Sequence, residues 1–191
     1  TDINNATSSD TIIHKVDEFF DLIVSAVNTS GNVTQNYSPG QIQLMLTRTG
    51  PTSAGDNGYL IYSSGSSLAT KLLSETPVFL PVSLEGFIDG VSDFDEAAYS
   101  EVGLFALDIQ DSTYGDGIII SADEINVGRF TPDNFVLSAS VGGYSNACSA
   151  ATPFTYIGQP FSFSVSDLPE ITVTPKNSAG VTVVNYFGEF K

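Results

Sequence analysis

The chain has 191 residues, of which 41% are hydrophobic, and its 22 acidic and 6 basic residues give a formal net charge of −16. This composition is typical of a globular chain with a buried core rather than a disordered one. The charge argues against nucleic acid as a partner, because a phosphate backbone is bound through Lys and Arg, and it disfavours anionic membrane surfaces. No run approaches the roughly 18 apolar residues of a membrane-spanning helix, so membrane insertion is not expected.

The first 27 residues give two signals. Residues 1–10 (TDINNATSSD) are polar and without periodicity, which predicts a flexible leader. Over 11–27 the apolar residues fit a helical stripe, but an internal repeat described below pairs Phe20 with Pro169, which would break a helix. A strand at 19–27 is therefore predicted, with a short helix at 11–18 as the alternative.

The middle of the chain has the alternating pattern of strands with one solvated face. This pattern predicts strands at 41–49, 59–64 and 101–110, and one or two closing strands over 117–130. Pro77 and Pro81 indicate an edge or bulged strand. Residues 86–101 (GFIDGVSDFDEAAYSE) indicate an acidic loop, and residues 111–117 (DSTYGDG) indicate a tight turn.

Turn chemistry at Pro132-Asp133-Asn134 predicts a domain boundary after residue 129. The first β-sandwich domain then spans 11–129, and a second unit spans 130–191. The second unit offers strands near 135–140, 161–166, 170–175 and 181–187. An immunoglobulin-like sandwich has about seven strands, so this unit is predicted to be incomplete. The predicted fold is all-β, with tandem immunoglobulin-like β-sandwich units of which the second is partial.

One phrase occurs twice, offset by 149 positions (173 − 24 = 149). VSAVNTSGNVTQNY at 24–37 matches VTPKNSAGVTVVNY at 173–186, with the same Val, Asn, Gly, Asn and Tyr positions. The pattern predicts a strand, an Asn-Ser/Thr-x-Gly turn and a second strand. The closing Asn-Tyr is predicted to be structural, with the tyrosine hydroxyl bonded to backbone. Such a repeat predicts a segment of a longer, repetitive β-protein.

Four phrases resemble the signature of the MshQ-like proteins, which carry a domain of unknown function (the 6701 family): YSEVGLFAL (99–107), VGRFTPDNF (127–135), FTYIGQPFSF (154–163) and NSAGVTVVNYFGEF (177–190). This family is encoded with the machinery of the mannose-sensitive haemagglutinin type IV pilus. The resemblance implies a large exported adhesin at the bacterial cell surface, built of β-sandwich modules. It implies pilus components and other modules of the same chain as partners, and it supplies no active-site pattern.

Calcium is the one cofactor that the residues themselves suggest, because calcium takes six to eight oxygen ligands and carboxylates on short loops supply them. The candidate ligands are Asp89, Asp93, Asp95, Glu96, Asp111 and Asp116. The alternative is a solvated acidic loop without metal. Asp123, Glu124 and Asp133 lie near the predicted domain boundary and could bind calcium that stiffens a tandem array.

Catalysis is not expected from this composition. His14 is the only histidine and Cys148 the only cysteine, so a structural zinc site lacks ligands and an internal disulfide is excluded. A Ser-His-acid triad would need His14 without any Gly-x-Ser-x-Gly elbow, and a dyad would need Cys148. Two carboxylates of a glycosidase are not excluded by composition, but Trp, a common sugar platform, is absent.

The sequence supports three non-catalytic hypotheses. The first is a secreted surface module that acts as a spacer or contact domain of a pilus-associated adhesin. The second is a carbohydrate-binding module that recognises glycan through Tyr and Phe. The third is a self-assembling subunit whose second unit is completed by a strand from a neighbouring copy, with Phe187 and Phe190 marking the site.

Overall fold

The computed structural model describes residues 6–10, 14–39, 41–52, 55–64, 67–72, 78–82, 86–148 and 151–191. Within these ranges the chain forms β-strands and one 3-10 helix at Gly188–Phe190, and no α-helix. The strands are β1 (His14–Lys15), β2 (Phe20–Ser25), β3 (Ile42–Gly50), β4 (Tyr59–Ser64), β5 (Ser67–Leu72), β6 (Leu80–Val82), β7 (Val91–Tyr99), β8 (Gly103–Asp111), β9 (Ile120–Ser121), β10 (Ile125–Thr131), β11 (Asn134–Ser140), β12 (Tyr144–Ser145), β13 (Ser162–Phe163) and β14 (Glu170–Lys176). The chain is all-β, as its sequence pattern predicts.

Two sheets share one hydrophobic core. The first has the order β1-β10-β8-β3-β6, with β9 pairing to the end of β8, and the second has the order β2-β7-β4-β5. Between them pack the rings of Tyr99, Phe105 and Phe130, whose centroids lie 5.0 to 5.9 Å apart. Strand alternation explains the inward faces, since every second residue of β3 is buried up to Leu46. The architecture is a β-sandwich, and its immunoglobulin-like strand order stays a prediction.

The chain divides into two compact units. We call residues 1–134 and 175–191 the larger unit, and residues 135–174 the smaller unit. This division differs from the predicted boundary after residue 129, which assigned all later residues to a second domain.

The difference arises because the C-terminal segment belongs to the larger unit. Val183 and Phe190 are buried in the same core cluster as Tyr99 and Phe105. Phe190 was predicted to mark a site for a neighbouring strand, but its ring is fully buried, and Phe187 is half-buried. The predicted strand at 181–187 is also absent: this segment makes one isolated bridge, between Lys176 and Thr182, before the 3-10 helix.

The smaller unit consists of two short two-stranded sheets, β11–β14 and β12–β13. Tyr144 pairs with Phe163 across the second of these, and their rings stack at 5.2 Å. None of the described residues in the smaller unit is buried. A two-stranded sheet has no second layer against which to bury side chains.

The first copy of the repeated phrase forms a tight hairpin after β2. The N–H of Asn28 donates to the carbonyl of Asn32 at 2.9 Å, and the N–H of Gly31 donates to the carbonyl of Asn28 at 2.8 Å. The Asn28 side chain accepts from the N–H of Asn32 at 3.1 Å. Gly31 has φ of 79°, a conformation that glycine adopts without a steric penalty. The hairpin closes where the N–H of Thr34 donates to the carbonyl of Ala26.

The second copy repeats these four hydrogen bonds. Asn177 donates to Val181 at 2.9 Å and accepts from Gly180 at 3.0 Å, and Gly180 has φ of 78°. The Asn177 side chain accepts from the N–H of Val181 at 2.7 Å. Val183 donates to Pro175, the equivalent of the bond from Thr34 to Ala26. The predicted Asn-centred turn is therefore present in both copies.

Two local expectations differ from the structure. Residues 86–101 were predicted as an acidic loop but contain β7, a central strand whose residues Ala97, Ala98 and Tyr99 are fully buried. The helix considered for 11–18 is absent in the described part, where β1 is followed by a turn at Val16 and Asp17.

The structure describes only part of the predicted N-terminal leader. Residues 1–5 of the predicted leader lie outside the described residues, whereas Ala6 is buried and its N–H donates to the carbonyl of Asn126 at 3.0 Å. No helix within the described ranges is long and apolar enough to span a bilayer.

Candidate functional site

An apolar cleft of about 270 Å³ lies on one flank of the larger unit, between its two sheets. One wall is β2, the edge strand of its sheet, and the other is built from β8, β9 and the start of β10. Within the described ranges, no further strand pairs with the outer edge of β2 to close this flank. The lining side chains that face each other are mainly apolar: Leu22, Val24, Val27, Ile42, Phe87, Leu107, Ile109, Ile120 and Ile125.

The walls follow from strand periodicity. Burial alternates along β2, so that Leu22 and Val24 turn towards the other sheet while Ile23 between them is 59% exposed. Opposite them, β8 carries a run of buried residues that ends in half-buried Ile109. Ile125 enters from β10, where it is paired with Leu107. The apolar side chains of Leu22, Val24 and Ile109 face the space between the two sheets and are only partly buried, because the cleft leaves that space open.

A polar pair sits at one end of the cleft. The hydroxyl of Tyr37 donates to Asp111 Oδ2 at 2.8 Å, and Thr113 donates to Asp111 Oδ1 from its N–H at 2.8 Å and its hydroxyl at 2.7 Å. Burial raises the pKa of Asp111, but the hydrogen bonds from Thr113 and Tyr37 outweigh it and hold the pKa below its usual value. Burial and the bond to Asp111 raise the pKa of Tyr37. At neutral pH the pair is a carboxylate and a neutral phenol.

Next to this pair the cleft widens into a mouth of about 460 Å³ whose walls carry both apolar and polar side chains. The Tyr37 ring lies 5.9 Å from the ring of Tyr114 and 5.2 Å from that of Phe87. Tyr114 is 47% exposed, and Gln35 and Asn36 beside it are also exposed. The mouth thus offers aromatic faces together with amide donors and acceptors.

The cleft combines apolar walls with a small number of ionisable groups. The ionisable side chains among the described lining residues are those of Asp111, Asp123, Tyr37 and Tyr114. Both carboxylate oxygens of Asp111 already accept hydrogen bonds from protein donors. A cleft with apolar walls and a few fixed polar groups is the usual form of a ligand site.

The predicted calcium ligands are distributed over several elements. Asp89 lies in the turn before β7 with φ of 50°, Asp93 and Glu96 are exposed on β7, Asp111 is buried at the end of β8, and Asp116 is exposed in the following turn. The side chain of Asp95 lies outside the described residues. Among the side chains that the structure describes, no three His, Cys, Asp or Glu groups lie close enough together to hold a metal ion. Calcium binding stays a prediction.

The three carboxylates near the predicted boundary have different surroundings in the structure. Asp133 accepts from Lys15 Nζ at 2.9 Å, and this bond lowers the pKa of Asp133. Asp123 lines the cleft, and Glu124 is exposed.

His14 and Cys148 both have structural surroundings. The His14 ring packs edge-on against Phe20 and Phe130 at 5.6 and 5.7 Å, and its Nε2 lies 3.0 Å from the carbonyl oxygen of Glu18. Cys148 is a partly exposed free cysteine whose backbone bridges to Phe154.

The pairing of Tyr37 with Asp111 at the polar end of the cleft was not predicted, although Asp111 itself was a candidate calcium ligand. Tyr37 was predicted to be structural, with its hydroxyl on backbone, but the hydroxyl binds the Asp111 carboxylate instead. The Asp-x-Thr spacing of Asp111 and Thr113 was the available signal, because a short acidic side chain that caps its own turn is held in a fixed orientation. The approach of Tyr114 to Tyr37 depends on how the chain folds, so no sequence pattern around either residue predicts it.

Part of this chain matches a known family model. Residues 101–191 match the family model described as DUF6701, third domain. The match begins at Glu101, between β7 and β8, and so includes β8 and β10 of the larger unit together with the whole smaller unit. Neither a curated protein nor a solved structure matches the chain.

Proposed function

We propose that this chain is a non-catalytic module of a large cell-surface protein, where it acts as a spacer or contact domain of a pilus-associated adhesin. The main observation that supports this proposal is the duplicated hairpin. The turns at Asn28 and Asn177 share three backbone hydrogen bonds and the same glycine conformation, 149 positions apart (177 − 28 = 149). Recurrence of a structural turn, rather than of a reactive group, is typical of repeated modules that extend or display.

The family match supports the same proposal, because a third domain is by its description one of several in a longer chain. The resemblance to MshQ-like proteins supplies the pilus-associated, extracellular setting. Calcium that stiffens the module remains part of the proposal, supported by the many acidic residues of the sequence.

The spacer role predicts that the length of this module matters and its surface does not. In cells that display the full-length protein, deletion of these 191 residues is expected to reduce attachment, since the segments beyond it lose reach. Replacement by an unrelated β-sandwich of the same length is expected to restore attachment, measured by counting adherent cells under flow. If the replacement attaches as poorly as the deletion, the module itself makes the contact and the spacer role is wrong.

The cleft favours a second candidate function, carbohydrate binding. Its mouth combines the half-exposed ring of Tyr114 with the amides of Gln35 and Asn36. Aromatic faces with adjacent hydrogen-bonding groups fit the alternating apolar and hydroxyl surfaces of a sugar.

A glycan array tests this second candidate. We expect retained glycans that are lost in Tyr114→Ala while the melting temperature is unchanged, because the Tyr114 side chain is 47% exposed. Tyr156→Ala is the matched control, since Tyr156 is 62% exposed in the smaller unit, and it should bind as the wild type does. Absence of any retained glycan, or equal loss in both variants, would contradict a sugar site at the mouth.

A further inference from the structure

The ribbon formed by β11 and β14 has one apolar face. At one end the N–H of Asp133 donates to the carbonyl of Lys176 at 2.9 Å, and at the other the N–H of Glu170 donates to Ser140 Oγ at 3.3 Å. The strands therefore run antiparallel, and each has seven residues. Matching them end to end places two alternating apolar rows on the same face. We call this the apolar face of the ribbon: Leu137, Ala139, Ile171 and Val173.

Three side chains of the apolar face are largely exposed. Leu137 is 68% exposed, Ile171 is 74% and Val173 is 54%. The opposite face carries Ser, Thr and Glu, with Val136 as its one large apolar residue. In an antiparallel sheet, such alternation is the pattern of a ribbon with one face packed and one face in water.

The smaller unit concentrates exposed apolar side chains. Of 28 exposed large hydrophobic residues among those that the structure describes, 14 lie in 135–174, which is 40 of 191 residues. Contiguous exposed apolar patches on a soluble chain mark a surface that another molecule covers. A ribbon without a second layer needs such a cover to be stable.

Charge indicates which molecule covers it. The smaller unit carries two charged residues, Asp167 and Glu170, and no Lys or Arg, so the remaining 151 residues carry −14 of the total −16. Two copies of this chain repel each other over most of their surface, and the nearly neutral ribbon is where they can approach closely. A two-fold contact requires a surface that is complementary to itself, and two flat apolar rows on strands of equal length meet this requirement.

We propose that the apolar face of the ribbon is a self-association surface, against which the same face of a second copy packs to form a small two-layer sandwich. This inference goes beyond the spacer role, because it gives the module a contact between neighbouring copies. The contact is independent of the cleft in the larger unit.

Sedimentation velocity of the whole chain over a range of concentrations tests the proposal. We expect a concentration-dependent dimer in the wild type, strengthened by added salt, since salt screens repulsion between the acidic surfaces. Leu137→Asp and Ile171→Asp are expected to weaken the dimer by about tenfold or more, because a carboxylate would be buried without a partner. Both side chains are exposed, so the fold of the chain should be unchanged by circular dichroism.

Val136→Asp is the matched control. It adds the same charge to the same strand, at a residue 50% exposed on the opposite face, and the dimer should persist. A monomer at every concentration would overturn the proposal and assign the face to another partner. Equal weakening by Val136→Asp and Leu137→Asp would also overturn it, because charge alone would then explain the effect.

A cysteine pair gives an independent readout. In a Cys148→Ser background, Val173→Cys is expected to form a disulfide-linked dimer on mild oxidation, because the two copies of residue 173 lie in the shared interface. Thr172→Cys, on the opposite face, is expected to remain monomeric in the denaturing gel. Cross-linking of both variants to the same extent would contradict a face-specific contact.

Discussion

Replacing Phe190 with alanine is expected to lower the free energy of unfolding of the larger unit by about 3–5 kcal/mol, the usual loss for a buried Phe. The ring is fully buried although it stands one residue from the end of the sequence. It packs beside Gly50, where an added Cβ would approach Phe190 Cζ to 2.5 Å, and the Arg129 guanidinium lies 5.4 Å from its centroid. The substitution therefore opens a cavity next to Gly50 and Arg129.

Thermal unfolding measures this effect, at about 2–4 °C for each kcal/mol in a chain of this size. Phe19→Ala is the control, because it makes the same change in the same unit at a side chain that is 54% exposed, where we expect a change within about 0.5 kcal/mol. Similar melting temperatures for both variants would contradict the assignment of residues 175–191 to the larger unit.

Removal of the Glu101 side chain is expected to have the second-largest effect. Glu101 is 7% exposed, and its carboxylate accepts from the N–H groups of Val102, Val184 and Asn185 at 3.1 to 3.3 Å. Glu101→Ala leaves these donors without an acceptor, and we expect a loss of about 2–3 kcal/mol. Glu101→Gln keeps one acceptor oxygen, so its loss should be smaller.

The Glu101 variants also differ in pH dependence. Burial raises the pKa of Glu101, against the backbone donors that lower it. A carboxyl whose folded pKa is raised contributes stability that is fully present below its unfolded pKa and is lost as pH rises through the folded pKa. Glu101→Gln has no such dependence, so the penalty of this variant is expected to be largest near pH 4 and to shrink towards pH 7.

Urea unfolding at several pH values tests the sign. Asp17, whose pKa burial also raises, remains in both proteins and cancels in the comparison. A penalty for Glu101→Gln that grows with rising pH would show that the ionised form of Glu101 is the one the fold stabilises.

The strands with one solvated face could be predicted from the sequence, and β7 could not. β3 alternates in hydrophobicity, so its period indicates both its type and its inward face, and β8 begins with the short apolar run of a strand that is buried on both faces. In β7 the exposed positions carry Asp93 and Glu96, and the buried ones include small Ala97 and Ala98, so the segment has the composition of a loop. Its position between β2 and β4 is a tertiary property.

The position of the C-terminal segment was equally beyond local reasoning. Repetition of the phrase at 173–186 correctly indicated its hairpin, but not which unit it joins. That is decided by side chains far apart in sequence: Asn185 accepts from the N–H of Asp56 at 2.9 Å and donates to its carbonyl at 2.7 Å, and Asn177 donates to Asp17. The cleft likewise depends on the separation of two sheets, and the sequence of a single segment does not predict that separation.

The return of residues 175–191 to the larger unit also determines how the chain transmits tension. The smaller unit is an insertion, entered at residue 135 and left at residue 174, and the strands on both sides of it are held in one body. Where the chain is pulled from its two ends, the pulling force passes through the larger unit from residue 134 to residue 175. The smaller unit then carries no load until the larger unit opens.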